Sequence, residues 1–303
     1  MRPFIEERVV TKTEPKCKSY EILKSGHADK LFILKLTLFN SIALSLEKFL
    51  VAYKSDYPMV PYLYTDLFDL ITSLMKRVVK DEPIVGASAK SIMKIYVTDE
   101  RNLKDPNNVD LGYAIIGQIR KNIASFKKEE LLKFRKETRA FLVKIIEKLL
   151  QRCPLKYDLV KGATWLDPKL FLSSKNFGRL DLALKVLVEK DKLSGAEADD
   201  TKEQYVTLAN EHSARDVAKS FKRQDRPDKL WFGKLLKVME STPLKKMVCI
   251  LLVLSYGQAE VERGFSIHSW GASHLKRTSV GLYFLVEISF CLEYFEKYVI
   301  LST

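Results

Sequence analysis

Closely spaced cysteines are missing from this sequence. Its 303 residues include only four cysteines, far apart at Cys17, Cys153, Cys249 and Cys291, and no CxxC pair. Disulfide frameworks belong to shorter, cysteine-dense secreted chains, and structural zinc sites need Cys or His ligands close together. The sequence therefore favours reduced, mostly buried thiols in an intracellular protein.

The motifs of common catalytic sites are also missing. There is no GxxxxGK[ST], no GxGxxG after a strand, no HExxH and no GxSxG. The four histidines are not spaced as metal ligands, so we assign them to the surface or to helix caps. They are His27, His212, His268 and His274.

A long uncharged apolar run is lacking as well. The start, MRPFIEERVV, has no signal-peptide core, and the longest apolar candidate, residues 31–53, contains Lys35 and Glu47. We therefore expect a soluble protein with no membrane-spanning helix. The formal charge of +13 favours an acidic partner such as DNA, although evenly scattered lysines also fit a solvated surface.

What the sequence does contain is helical periodicity. Apolar residues recur every three or four positions over 29–55, 65–80 and 113–152, which predicts a mainly α fold with few strands. In the third segment one stripe is expected to face inward, with lysines outside it. The inward stripe is Leu131, Phe134, Phe141, Ile145 and Leu149, and the lysines are Lys136, Lys144 and Lys148.

Local signals predict how these segments begin and end. Pro58 and Pro61 are expected to end the first helix, and residues 91–98, SIMKIYVT, are the best strand candidate. The stretch 192–200, KLSGAEADD, is expected to be a polar loop, followed by a helix that begins at Asp200 or Thr201.

The stretch SYGQAEVERGFSI, residues 255–267, places charges directly after the apolar run MVCILLVL. A charged group in such surroundings costs several kcal/mol unless it is paired or bound to metal. In a helix, Glu262 would lie beside Ala259 and Ser266. It could form an ion pair or cap with Arg263 or Lys276, or it could carry chemistry, and the pattern leaves both readings open.

The residues from Leu254 to Ile267 resemble the C-terminal signature of hAT-superfamily transposases, an apolar run followed by A-x-x-E-R-x-F-S. Four earlier stretches are similar to family segments in the same order, so the resemblance covers most of the chain from about residue 16. They are SLEKFLVAYKSDYPMVPYLYTDLFDLITSLMKRVVK at 45–80, NNVDLGYA at 107–114, TWLDP at 164–168 and VLVEKDKL at 186–193.

The resemblance implies a ribonuclease H-like catalytic fold, a helical insertion and a C-terminal dimerisation region. It divides the chain into a polar lead-in (1–28), an insertion-like region (29–240) and a truncated ribonuclease H-like dimerisation region (241–303). Family members hold two divalent metals with three carboxylates, and Glu262 matches the third of these.

The other two carboxylates have no assignable counterpart in this sequence, and neither does a zinc finger. Mg²⁺ binds weakly to a lone glutamate. We therefore expect no enzymatic activity and no cofactor, with Mg²⁺ bound only if a partner chain completes the site. A composite transposase site to which this chain contributes Glu262 remains the enzymatic alternative, and a nucleic-acid-binding module with basic helices is a further one.

The resemblance also implies a dimerising protein of the nucleus. Residues 282–301 are apolar with few charges, and each such side chain contributes about 1.5–3 kcal/mol when it is buried. We expect a homodimer, or a heterodimer with a longer hAT-like protein. The predicted signature and dimerisation residues are Ser255, Ala259, Glu262, Arg263, Phe265, Ser266, Leu282 and Leu285.

Overall fold

A computed structural model describes residues 7–253 apart from 12, 14, 54–56, 172, 174, 238 and 240. This part of the chain is mainly helical and has no β-strand, only an isolated antiparallel bridge between Val79 and Leu103. The α-helices are α1 (Lys18–Ala28), α2 (Phe32–Tyr53), α3 (Val60–Val78), α4 (Ala89–Ile92), α5 (Tyr113–Lys121), α6 (Lys128–Arg152), α7 (Asp158–Ala163), α8 (Lys175–Glu189), α9 (Gly195–Asn210), α10 (His212–Ser220), α11 (Pro227–Leu230) and α12 (Pro243–Val253).

The helices surround two apolar cores. The first core is formed mainly by α2 to α6, and the second by α7 to α12. Helix α3 spans the two, because Val60 at its start belongs to the second core and Leu67 and Ile71 belong to the first. The boundary predicted at residue 241 falls between Leu236 and Leu244, which share the second core.

The start of α3 differs from the prediction. The helix begins at Val60, five residues before Thr65, and Pro61 lies in its first turn. Proline suits this position because the first N–H groups of a helix have no partner within it. Pro61 therefore begins the second helix instead of ending the first, which ends at Tyr53.

The strand predicted over 91–98 is wrong. Ser91 and Ile92 end α4, whose first turn is capped by the Ser88 hydroxyl accepting from the Ser91 N–H at 3.2 Å. The chain then continues in turns, with the Ile95 N–H donating to the Ile92 carbonyl at 3.2 Å. No neighbouring strand is present in the described residues to pair with this segment, so tertiary packing overrides its local β preference.

The helical pattern predicted over residues 113–152 is confirmed, but this segment forms two helices and not one. Helix α5 ends at Lys121, and α6 begins at Lys128 where the Glu130 carboxylate accepts from the Lys127 N–H at 2.8 Å. The predicted stripe of α6 faces inward, since Phe134, Ile145 and Leu149 are buried and Leu131 and Phe141 are partly buried. Its three predicted lysines are exposed.

Aromatic rings fill the second core. Trp165 packs edge-on against Trp231 and Tyr205, with ring centroids 5.1 and 5.3 Å apart. The Trp231 indole donates to the Leu166 carbonyl at 3.0 Å, and the buried Asn176 amide donates to the Trp165 carbonyl at 3.0 Å. The bond to Leu166 fixes the Trp231 ring, since unpaired polar groups are costly in an apolar interior.

Helix α9 begins earlier than predicted. Ser194 caps it, and Glu197 completes a capping box in which the Ser194 N–H donates to Oε2 at 2.7 Å. Asp199 and Asp200 are therefore exposed residues inside the helix and are not caps. Thr201, the other predicted start, is buried and donates to the Glu197 carbonyl at 2.6 Å.

The thiols also differ in part from the expectation. Cys153 is buried, but Cys17 and Cys249 are exposed, so the prediction of mostly buried thiols is wrong for two of the three described cysteines. Burial raises the pKa of the Cys153 thiol to about 12.

Candidate functional site

The predicted signature and dimerisation residues all follow Val253, the last described residue. The structure therefore places none of them, and their roles stay predictions. They are Ser255, Ala259, Glu262, Arg263, Phe265, Ser266, Leu282 and Leu285. Among the described residues, no group of three or more His, Cys, Asp or Glu side chains could hold a metal ion.

Helix α2 carries two apolar faces. Its inner face is a buried stripe of leucine and isoleucine side chains in the first core: Leu34, Leu38, Ile42, Leu46 and Leu50. Its outward face also carries large apolar side chains, and these are 49–64% exposed: Ile33, Leu36, Leu44 and Val51. Exposed apolar patches mark surfaces that bind another protein or a membrane, and in this stripe Asn40 and Glu47 lie between the apolar side chains.

The spacing along the outward face is close to that of a coiled coil. Together with the exposed Asn40 and Glu47, the four apolar residues follow one another at intervals of three or four along a helix of 22 residues. A polar asparagine on such a stripe fixes the register and number of paired helices, at a cost in stability. The outward face of α2 therefore has the pattern of a helix-pairing surface.

The same helix could cross a membrane by length and composition alone. An 18-residue window of Phe32–Tyr53 has a mean hydropathy of 1.2, and 22% of it is buried. One such helix is weak support for a membrane span, because core helices of soluble proteins reach the same length and hydropathy. The buried stripe of α2 packs against the first core, and this contact would be lost if the helix left it.

A polar junction joins α2, α3 and the loop after α10. The Tyr53 hydroxyl donates to Asp66 Oδ2 at 2.8 Å, and the Arg223 guanidinium donates to the same oxygen. The Asp66 side chain is only 18% exposed, whereas Asp69, one turn further along α3, is exposed. Burial and the Asp66 carboxylate raise the pKa of Tyr53.

Two cation–π contacts hold the loop after α10 against the chain before and within α3. The Arg223 guanidinium lies 4.6 Å from the centroid of Tyr62, and the Arg226 guanidinium lies 5.2 Å from that of Tyr57. Asp228 holds Arg226 through bonds of 2.8 and 3.1 Å. Burial raises the pKa of the nearby Asp167 carboxyl, which caps a short 3₁₀ turn.

Sequence reasoning missed both of these features. The outward face of α2 could have been found, because Ile33, Leu36 and Leu44 are apolar residues outside the inner stripe, and a helix covered on one face alone does not require them. The junction carries no comparable signal, since Asp66 and Arg223 are 157 positions apart.

Comparison with protein-family models, with curated proteins and with solved structures finds no match to this chain.

Proposed function

We propose that this protein is a catalytically incomplete, hAT transposase-like protein that acts by self-association, with a ribonuclease H-like remnant in its C-terminal region. The observation that carries the proposal is the exposed apolar face of α2, defined by Ile33, Leu36, Leu44 and Val51. A second copy is the occupant that best suits this face, because a two-fold interface sets the same stripe against itself.

The free energy gained by covering the outward face of α2 is too small, except at the top of its range, for this face alone to hold a stable dimer together. In a two-fold dimer both copies of this face are covered, so eight side chains that are about half exposed contribute about 6–12 kcal/mol. Association costs at least about 4 kcal/mol in lost translational and rotational freedom, whereas a micromolar dissociation constant requires a net gain of about 8 kcal/mol. A dimer stable at micromolar concentration is therefore expected to use a further apolar surface, and the sequence from Leu282 to Leu301 supplies the residues for one.

Two alternatives gain less support. A composite enzyme depends on Glu262, which lies outside the described residues. A nucleic-acid-binding surface would use the basic side chains of α6, but acids accompany several of them. Lys144 lies 3.2 Å from Glu147, and Arg139 lies 2.9 Å from Glu100.

The proposal is tested by measuring the mass of the purified protein at tens of micromolar with multi-angle light scattering. We expect about twice 34.9 kDa, with little dependence on salt because apolar contacts are not screened. Leu44→Glu should shift the mass toward one copy. Ser45→Glu is the matched control, because it adds the same charge to the next exposed residue on another side of α2 and should leave the dimer intact.

Leu285→Asp tests the predicted second surface in the same way and should also weaken the dimer. A single-copy mass for the unmodified protein would refute self-association. Equal masses for Leu44→Glu and Ser45→Glu would refute the role of α2. Recruitment of the unmodified protein to neutral lipid vesicles, abolished by Leu44→Glu, would show that the face binds a membrane instead.

A further inference from the structure

A cavity with a surplus of positive charge lies beside the polar junction. Its volume is about 430 Å³, and its charged lining residues are Arg226, Lys229, Lys234 and Asp225. Three cations therefore face one acid across this space. Aromatic and polar side chains, including Tyr57 and Phe221, complete the lining.

Among the described residues, some charged side chains of this cavity have a partner of opposite charge, and others do not. Asp228 neutralises Arg226, and the Asp225 carboxylate accepts from the backbone N–H of Lys222 at 2.9 Å. Within the described part of the chain, Lys229 and Lys234 form no ion pair. A cleft lined by charges of one sign attracts ions of the opposite sign.

The two lysines that line this cavity lie on either side of the start of a π turn. Residues five apart lie on different sides of an α-helix, where neighbours on one face are three or four apart. From Trp231 to Leu235 the chain instead forms a π turn, in which the Leu236 N–H donates to the Trp231 carbonyl at 2.8 Å. Lys229 precedes this turn by two residues and Lys234 lies within it, and both side chains line the cavity.

The aromatic side of the cavity suits a flat ring. Tyr57 is 38% exposed and has the Arg226 guanidinium over its ring, so its position is fixed while part of its surface stays accessible. Exposed aromatic rings beside basic side chains are the pattern on which nucleotide bases stack. The cavity also has the size of small-ligand sites.

We propose that this cavity binds a phosphorylated ligand of nucleotide size, with the phosphate between Lys229 and Lys234 and a planar ring against Tyr57. The inference goes beyond the self-association proposed above and does not depend on it. The ligand is either a free nucleotide or the terminal nucleotide of a single strand, since both present the same phosphate and ring.

Isothermal titration of the full-length protein with AMP tests the proposal. We expect binding that weakens about tenfold or more in Lys229→Gln and in Lys234→Gln, because each removes a charge-assisted contact to phosphate. Lys237→Gln removes an exposed lysine of the same segment that does not line the cavity, and it should leave the affinity unchanged. Circular dichroism checks that each variant folds.

Two further binding measurements distinguish the contact to the ring from the contact to the phosphate, and a free nucleotide from a strand end. Tyr57→Leu should weaken AMP about tenfold but leave inorganic phosphate unaffected, because only the ring contact is lost. A short 5′-phosphorylated oligonucleotide that binds more tightly than AMP, with the same dependence on Lys229, would support the site and identify a strand end as its ligand.

No binding of AMP at millimolar concentration would overturn the proposal. Binding that is unchanged in both lysine variants would overturn it too. Equal affinity for AMP and inorganic phosphate would refute the ring contact and the nucleotide class with it.

Discussion

Arg223 pairs with Asp66, a residue 157 positions earlier in the chain. The carboxylate of Asp66 also accepts from the Tyr53 hydroxyl, so one acid joins α2, α3 and the loop after α10. The loop carries Arg226 toward the cationic cavity, and α2 carries the outward apolar face. The junction therefore connects both surfaces to which we assign a function.

Removal of Arg223 is expected to destabilise the fold. Arg223→Ala leaves the partly buried Asp66 carboxylate with the Tyr53 hydroxyl alone, and we expect a loss of about 1–2 kcal/mol in the free energy of unfolding. Urea denaturation measures this difference. Arg101→Ala is the control, since its ion pair with Asp99 involves an arginine side chain that is 90% exposed and should change stability by less than about 0.5 kcal/mol. Equal losses in the two variants would contradict the role of the junction.

Close contact between α7 and α8 depends on Gly162. A Cβ atom added there would lie 2.7 Å from the Ala183 backbone nitrogen, closer than side-chain carbons approach such atoms. Gly162→Ala should therefore destabilise the protein by about 1–3 kcal/mol. Gly117 lies within α5 with nothing nearby, so Gly117→Ala should instead stabilise it by up to about 1 kcal/mol. Thermal unfolding compares the two, and a harmless Gly162→Ala would show that the helices can separate at little cost.

Glu197 makes the contact between α9 and α12 sensitive to acid. Lys246, at 2.7 Å, and the Ser194 cap lower the pKa of the Glu197 carboxyl from 4.5 to about 2. A lowered pKa in the folded state means that the stabilisation is present above about pH 4.5 and is lost as the pH falls toward about 2. The difference in urea midpoint between the unmodified protein and Glu197→Gln should therefore be largest near neutral pH and shrink in acid. A difference independent of pH would contradict this assignment.

Asn40 is expected to weaken the dimer while fixing its register. Asn40→Ile extends the apolar stripe on the outward face of α2, so the dissociation constant of the dimer should fall, by about tenfold for a gain near 1.4 kcal/mol. Sedimentation equilibrium measures the constant. Ser45→Ile is the control, because it adds the same side chain to an exposed position on another side of α2. Similar dissociation constants for Asn40→Ile and the unmodified protein would place Asn40 outside the interface.

The helical class of the fold and the inner stripes of α2 and α6 could be predicted, because a buried face repeats every three or four residues in the sequence. The first and last residues of the helices were harder to predict from the sequence. Ser194 and Glu197 form a capping box, but the glycine between them favoured a loop, and Pro61 was assigned to the end of a helix when it lies in the first turn of the next. The segment 91–98 has a local preference for a β-strand, but its packing in the first core favours the end of a helix followed by turns.

The cavity could not be predicted for two physical reasons. Tyr57 reaches it from a distant part of the chain, and a single sequence does not reveal such contacts. Lys229 and Lys234 are five residues apart, a spacing at which an α-helix would place them on different sides. A π turn cannot be recognised from the spacing of apolar residues in the sequence.

Self-association through the outward face of α2 is best measured by disulfide trapping of two copies. Cysteine is introduced by Leu36→Cys, Asn40→Cys or Leu44→Cys, singly and in mixed pairs, after Cys17, Cys249 and Cys291 are replaced by serine. We expect a covalent dimer from these positions on mild oxidation and none from Lys148→Cys, an exposed residue of α6. Failure of every α2 position to form the dimer, or equally efficient trapping by Lys148→Cys, would contradict self-association through this face.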